Sequence, residues 1–374
     1  MYDQIRGDVL YIMLYAGVTA MTIIASLYLL LRRGNAFAPD ITPPVRLRRW
    51  TAALFAALAM SHVWYMPIMF LTSKDDIMLS YLIGGLLDSI MVYPLSVIVL
   101  LVMLQDRRRQ LWPTCLLMAP IVVCLALCVV NRNTNLFPII NGYALLLCIG
   151  LIIYMVYAMR QYRHWLCDNY ADLEHKEVWQ GFLALAAILL LLVLYATSSD
   201  VPAYLYTMQI IEIALIYYLL WRVETLSDLT LPQSESISAE SEGEPVTETA
   251  QEGDDELSLS IQNIEPLLQH CIDSKLYLQH DLTIAQLAKA LGTNRFYLSQ
   301  YFSSQGITYN AYINDLRIDH FITLYREAVA NHRNYTARQL AAESGYRSYS
   351  TFTLAFKQRT GKNVTAWMKD NEKL

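Results

Sequence analysis

Long runs of apolar residues follow one another through the first 222 positions of the chain. The seven runs are residues 9–31, 50–72, 77–104, 111–130, 136–159, 179–197 and 201–221. About 20 residues in a helix suffice to cross the hydrocarbon layer of a bilayer. Helices buried in a large soluble core would show polar stripes at helical period, and these runs show almost none. The pattern therefore predicts a domain of seven transmembrane helices over residues 1–222.

A different pattern begins in the stretch DLTIAQLAKALGTNRFYLSQYF, residues 281–302. Apolar residues repeat there at i, i+3, i+4 and i+7, which predicts an amphipathic helix. These residues are Ile284, Leu287, Ala288 and Leu291. Thr283 can cap the start of the helix, and Gly292 supplies the positive-φ residue that ends it.

The helix that follows is predicted to begin after Asn294, which can cap it. Its apolar face contains Tyr297, Leu298, Tyr301 and Phe302. Its outer face and N-terminal edge present the candidate DNA-contacting residues Arg295, Phe296, Ser299, Gln300 and Ser303. Two short helices about a glycine turn, the second with a small, polar and cationic outer face, predict a helix-turn-helix.

The same pattern returns 53 residues later, where Leu340, Ala341 and Gly345 repeat Leu287, Ala288 and Gly292. In ARQLAAESGYRSYSTFTLAFKQRTG the cap is expected at Ser348, and Phe352 and Phe356 are expected to pack inward. The candidate DNA-contacting residues of this second unit are Arg347, Ser348, Tyr349, Ser350, Thr353, Leu354, Lys357 and Arg359. The segment between the two units has apolar residues at helical period and predicts a long joining helix.

The last ~100 residues resemble the DNA-binding domain of the AraC/XylS family of transcription regulators. The matching residues are LTIAQLAKALGTNRFYLSQYF, NDLRI around Arg317, and SGYRSYSTFTLAFKQRTG. The resemblance implies two helix-turn-helix units on one rigid connecting helix, with both recognition helices in successive major-groove segments of promoter DNA. The arrangement with a multi-span N-terminus is similar to membrane-embedded bacterial regulators of this family. RNA polymerase and a second copy of the chain stay open as further partners.

The basic residues of the loops predict the orientation in the membrane, because cytoplasmic loops carry the excess of Lys and Arg. One set of loops and the end of the seventh run hold twelve such residues, and the opposite set with the N-terminus holds three. The three are Arg6, Lys74 and Arg132; the twelve are Arg32, Arg33, Arg46, Arg48, Arg49, Arg107, Arg108, Arg109, Arg160, Arg163, Lys176 and Arg222. We therefore expect the N-terminus outside and the C-terminal domain in the cytoplasm, with the chain in the inner (cytoplasmic) membrane.

Charge also divides the rest of the chain. Residues 223–257 carry 11 acidic and no basic residues, with few large apolar ones, so they predict an acidic disordered linker. Residues 258–374 carry 13 basic and 9 acidic residues, a net charge of +4 that suits a polyanionic partner. The linker is either a solvating tether, the interpretation that its composition favours, or a competitor of DNA for the basic face of this domain.

Three ionisable residues, His62, Asp88 and Glu212, fall near the middle of apolar runs. A carboxylate within a membrane is costly unless it faces the bundle interior and finds a partner, so these residues form a candidate intramembrane polar site. The alternative is a hydrogen-bonded structural contact between helices. The external loops are too short for a binding domain, so the unknown signal or partner protein is expected to act in or at the membrane.

Several classes of function find no support in the sequence. The six cysteines include neither a CxxC pair nor a Cys/His set at zinc spacing, and no nucleotide-binding, nucleophile-elbow or kinase motif is present. We therefore expect no enzymatic activity, no metal and no cofactor. The favoured hypothesis is a membrane-embedded transcription regulator. The alternative is a multi-span receptor or transporter-like protein whose helix-turn-helix domain is an accessory protein-interaction module.

Overall fold

The computed structural model is helical throughout most of the part that it describes, which comprises residues 8–32, 35–39, 41–179, 181–182, 201–229 and 264–371. No strand occurs among these residues, although an isolated antiparallel bridge joins Tyr170 and Thr283. The prediction of an all-α fold with a helix-turn-helix domain at the C-terminus is confirmed.

The chain divides into two compact units. The described residues of Met1–Tyr162 and Val178–Gln233 form the first unit, and those of Arg163–Glu177 and Ser234–Leu374 form the second. A short segment from the middle of the chain, Arg163–Glu177, therefore belongs with the C-terminal residues. The predicted linker lies largely outside the described residues, and the predicted domain boundaries stay a prediction.

The helices that begin between residues 8 and 229 follow the apolar runs. In the described residues they are α1 (Val9–Leu31), α2 (Val45–Tyr65), α3 (Lys74–Ile90), α4 (Val92–Met103), α5 (Trp112–Asn131), α6 (Phe137–Asn169) and α7 (Val201–Thr225). Five stretches of the described chain are long and apolar enough to cross a membrane: Val9–Leu31, Val45–Met69, Lys74–Met103, Trp112–Asn131 and Phe137–Asn169.

The sixth and seventh predicted spans lack this support from the described residues. Residues 179–197 lie outside the described residues except for 179, 181 and 182. The seventh run lies within α7, which is not among the five stretches. The number of seven spans therefore stays a prediction.

Two apolar runs differ in their bounds from the helices that they form. The run 77–104 is split at Met91, and α3 ends at Ile90. Pro94 explains the break, because a proline ring clashes with the carbonyl four residues before it and removes a helical hydrogen bond. In contrast, α6 continues past the predicted end at Met159 through polar residues to Asn169.

The second unit contains the two predicted helix-turn-helix units. Its described helices are α8 (Ile264–Asp273), α9 (Ile284–Ala290), α10 (Arg295–Ser304), α11 (Tyr309–Ala330), α12 (Ala337–Glu343), α13 (Tyr349–Thr360) and α14 (Val364–Asn371). The first helix-turn-helix is α9–α10, the second is α12–α13, and α11 is the joining helix.

Capping explains where most of these helices begin. Thr283 and Thr336 each form a reciprocal capping box with the glutamine three residues later, and the Asn294 side chain accepts a hydrogen bond from a backbone amide of α10. Ser348 is the N-cap residue of α13, as predicted, but its side chain makes no capping bond. The Ser348 hydroxyl instead lies 2.6 Å from the hydroxyl of Ser350.

Each helix-turn-helix has its own hydrophobic core, and α11 contributes to both. The buried residues of the first core include Leu287, Ala288, Leu298, Phe302 and Ile313. Those of the second core include Phe321, Leu340, Ala341, Phe352 and Phe356. Ala171, from the segment Arg163–Glu177, is also buried in the first core.

The turn of the second helix-turn-helix is packed against the residues that precede the first. Gly345 has a φ of 88°, and a Cβ atom at this position would lie 2.8 Å from both Cα and the carbonyl oxygen of Leu278. The His280 ring Nδ1 lies 3.0 Å from the Gly345 carbonyl oxygen, so this nitrogen is the donor. Only glycine fits the left-handed conformation and the close approach together.

Replacing Gly345 by alanine should therefore loosen the second helix-turn-helix strongly. We expect the Gly345→Ala variant to lose about 2–4 kcal/mol of local stability, from backbone strain plus overpacking. Gly292→Ala is the matched control, because Gly292 has a φ of 68° but nothing within 4 Å of the added Cβ. It should lose only about 1–2 kcal/mol. Hydrogen exchange of α12 and α13 for the first variant, and of α9 and α10 for the second, measures both; equal losses would contradict the close approach.

Candidate nucleic-acid interface

The first recognition helix, α10, is held by two buried side chains and leaves its opposite face accessible. Leu298 and Phe302 are almost fully buried. On the other side Phe296 is 53% exposed, Gln300 and Ser303 are exposed, and Ser299 is half-buried. The predicted outer face therefore exists, although residues of the segment Arg163–Glu177 lie beside part of it.

Two residues from the end of α6 lie beside this face. The Arg295 guanidinium donates a hydrogen bond of 2.6 Å to the side-chain oxygen of Asn169. Asp168 lines a narrow crevice together with Ser299 and Ser303. Arg295, a candidate DNA-contacting residue, thus already has a polar partner, and a carboxyl group lies near two further candidate contacts.

The second recognition helix, α13, presents a more accessible face. Leu354 is 60% exposed, and Ser350 and Lys357 are exposed too. The Thr353 hydroxyl donates its hydrogen to the Ser350 carbonyl within the same helix. An exposed leucine among polar residues suits contact with a thymine methyl group.

An open cleft of about 440 Å³ lies at the start of α13. Its lining includes Arg338, Arg347, Ser348 and Tyr349. The Arg338 guanidinium lies 6.0 Å from the centre of the Tyr349 ring. Two guanidinium groups beside a helix start can hold the oxygens of a DNA phosphate.

Two arginines among the candidate DNA-contacting residues form ion pairs with aspartates of the second unit. Arg347 lies 3.2 Å from Asp281. Arg359 lies 3.3 Å from Asp315 and 3.6 Å from Asp319, both on α11. These pairs are largely exposed, so water and salt screen them and the arginines can exchange a carboxylate for a phosphate at little cost.

Asp281 is the centre of a small charged network. Its carboxylate lies 2.7 Å from the Lys176 ammonium as well as close to Arg347. Burial by itself would raise the pKa of Asp281, but the two neighbouring cations outweigh burial and hold this pKa below its usual value of 3.8. Asp281 therefore stays ionised at neutral pH.

Arg317, the arginine of the NDLRI motif, does not reach the surface. It is 0% exposed, and its guanidinium donates to both carboxylate oxygens of Asp172, at 2.7 and 3.3 Å. It also donates to the backbone carbonyls of Tyr277 and Gln279, at 2.7 and 2.8 Å. The Tyr346 ring lies 5.5 Å from the guanidinium carbon. Arg317 therefore supports the interface from within and does not contact DNA.

Two of the candidate intramembrane residues, His62 and Glu212, lie close together in the first unit. The His62 Nε2 lies 3.6 Å from Glu212 and 3.3 Å from Gln209. Its Nδ1 faces the Leu58 carbonyl at 3.0 Å, so Nδ1 carries a hydrogen. Asp88 accepts a hydrogen bond of 3.2 Å from the Trp64 indole. Within the described residues, no group of three His, Cys, Asp or Glu side chains could hold a metal ion.

Sequence patterns missed several of these polar residues. They are Asn169, Asp172, Lys176, Gln209 and Asp281. The first three follow the fifth apolar run, in a stretch that the charge pattern used only to assign orientation, and no motif marks their partners. Asp281 stands at the start of the quoted helix-turn-helix stretch, where an acidic residue gives no sign of bonding to a distant lysine.

Comparison with known proteins supports the DNA-binding assignment of this region. Residues 287–370 match a family model described as a helix-turn-helix domain. No curated protein and no solved structure matches the chain significantly. The matched region begins within α9 and ends within α14, so it covers most of the first helix-turn-helix unit and all of the second. The chain therefore has a C-terminal domain of a DNA-binding regulatory class, not an enzymatic one, which supports its resemblance to AraC-type transcription regulators.

Proposed function

We propose that the protein is a membrane-embedded, one-component transcription regulator that binds promoter DNA through its two helix-turn-helix units. The observation that supports this function best is the repeated unit within the matched residues 287–370. Both recognition helices have a buried apolar side and an accessible polar or cationic side. That arrangement suits insertion of each helix into a major groove.

The proposed location rests on the apolar helices and on the loop charges. Five stretches of the described chain can cross a bilayer by length and composition. The excess of basic residues on one set of loops favours a cytoplasmic C-terminal domain in the inner membrane. In this orientation the DNA-binding domain reaches the chromosome while the first unit stays in the lipid.

We propose further that the polar cluster of His62, Gln209 and Glu212 senses the signal. The His62 Nε2 faces oxygens of both other side chains. The imidazole therefore joins α2 to α7 through polar contacts. A ligand or a helix movement that separates these groups breaks the contacts between the two helices.

The second candidate function is a multi-span receptor or transporter-like protein whose helix-turn-helix domain binds another protein. The exposed ion pairs of Arg347 and Arg359 near α13 would also suit a protein-binding surface. DNA binding distinguishes the two functions, because phosphate contacts release counterions and make affinity fall steeply with salt.

Topology provides the first test. A reporter that is active only in the cytoplasm should be active when fused after Arg222. The same reporter should be inactive in the loop at residues 73–76, because that loop is expected outside. Activity with the opposite pattern would place the C-terminal domain outside, where no chromosomal promoter can be reached.

DNA binding by single variants separates base reading from phosphate binding. We expect Arg295→Ala and Gln300→Ala each to cost about 1–3 kcal/mol at a cognate site and to relax preference at one or two base pairs. Lys357→Ala and Arg359→Ala should weaken all duplexes alike and reduce the salt slope by about one unit each.

The measurement compares the full chain on one promoter fragment, recovered by genome-wide mapping of bound sites, with a scrambled duplex of equal length. An affinity that does not depend on salt would favour the accessory-module alternative. Equal losses on both duplexes for Arg295→Ala and Gln300→Ala would show that the first unit does not read sequence.

A third prediction concerns the polar cluster. Glu212→Gln keeps the size of the side chain and removes its charge, so we expect promoter output to change by about fivefold or more at unchanged protein level. Ser26→Ala is the control, because the buried Ser26 hydroxyl bonds the Ala52 carbonyl at 2.9 Å and joins two helices. Reporter activity and immunoblots measure both quantities. If output follows protein level in both variants, the cluster is a structural contact.

A further inference from the structure

The segment Arg163–Glu177 lies on the first helix-turn-helix of the second unit, and its backbone takes part in the contact. The Ala171 amide donates to the Leu282 carbonyl at 3.0 Å, next to the bridge between Tyr170 and Thr283. The Asn310 side chain donates to the carbonyl oxygens of Tyr170 and Ala171. Leu282 and Thr283 lead directly into α9, so the segment is bonded to the entrance of the first unit.

Charged groups strengthen the same contact. Asp172 accepts two hydrogen bonds from the buried Arg317 and one from the Asp281 amide, at 2.8 Å. The Lys176 ammonium lies 2.7 Å from the Asp281 carboxylate and bonds the Asp172 carbonyl at 2.9 Å. Asp172 and Lys176 are both buried. These charges are therefore held in place by partners and do not form a loose surface contact.

The end of the same segment overlaps the face that would enter DNA. Asn169 accepts the hydrogen bond of Arg295, and Asp168 lies in the crevice beside Ser299 and Ser303. A major groove would have to occupy this space, since a recognition helix contacts base edges with its N-terminal and outer residues. The Asp168 carboxyl group would also repel the phosphates of a duplex.

We infer that the segment Arg163–Glu177 is a built-in competitor of DNA for the first helix-turn-helix unit. This inference rests on the proposed DNA-binding function. The described arrangement is then the docked form, and DNA binding through α10 requires residues 168–171 to leave the first helix-turn-helix, while Asp172 stays on Arg317. Residues 163–169 are the last two turns of α6, an apolar helix long enough to cross a membrane. A signal that shifts α6 in the bilayer thereby changes access to DNA.

Hydrogen exchange of the unmodified full chain in lipid nanodiscs tests the competition directly. The probe is a mixed-sequence duplex of about three helical turns. We expect saturating duplex to speed exchange of peptides containing the Ala171 amide by about tenfold, because its bond to Leu282 opens when the segment leaves. Unchanged or slower exchange with duplex bound would overturn the inference.

Two variants give an independent test by fluorescence anisotropy with the same duplex. The double variant Asp168→Asn, Asn169→Ala removes the competing groups without touching the buried pair of Asp172 and Arg317. It should bind duplex about fivefold more tightly than the unmodified chain, the scale of one lost hydrogen bond. Glu174→Gln is the control, because it removes an acidic group of the same segment that pairs with His175 instead.

The outcomes separate the inference from the function on which it rests. If neither variant nor the unmodified chain binds duplex at low salt, the proposed DNA-binding function fails, and the inference with it. If all three bind equally, DNA binding stands and the competition is wrong. If Glu174→Gln tightens binding as much as the double variant, general charge repulsion explains the effect and the competition is again wrong.

Discussion

The second unit is organised around the guanidinium of Arg317, which has no contact with water. A buried charge is tolerated only when its partners are all present, and removing one partner of such a pair typically costs about 3–5 kcal/mol. The partners come from separate places: the carbonyls before α9, the Tyr346 ring of the second helix-turn-helix, and Asp172 of the segment Arg163–Glu177. The hydrogen bonds and the ring contact of this one guanidinium therefore fix the relative positions of three stretches of the second unit.

How much could be predicted from the sequence depended on the range of the interactions. The helices of the first helix-turn-helix were predicted with their caps, because Thr283, Gly292 and Asn294 act on backbone groups a few residues away. The repeat identified the second unit for the same reason. The position of the cap at Ser348 was predicted correctly, but its side chain bonds the hydroxyl of Ser350 two residues later and makes no capping bond.

Long-range contacts could not be predicted in this way. Asp172 and Arg317 are 145 residues apart, and His62 and Gln209 are 147 apart. Hydropathy indicated that His62 and Glu212 would need partners but could not identify them. The extension of α6 to Asn169 was also missed, because an apolar run marks where a helix can enter lipid and not where its backbone stops being helical.

The ion pairs of the second unit also change the meaning of its net charge. The count of 13 basic residues treats every arginine and lysine as available to a polyanion. Arg317 is buried on Asp172, and Arg347 and Arg359 share carboxylates of their own unit. Attraction to DNA therefore comes from a smaller set of cations than composition suggests. When the domain binds DNA, phosphates replace these carboxylates as the partners of Arg347 and Arg359.

The close approach of Gly345 to Leu278 has a consequence for the promoter. The turn of the second helix-turn-helix packs tightly against the residues that lead into the first. The two recognition helices therefore cannot rotate independently of each other. A base pair inserted between their target sequences would turn one target by about 35° around the duplex axis. Because the two units are held rigidly, the duplex must compensate for that rotation by twisting and bending. The stiffness of the base pairs between the two targets therefore contributes to recognition.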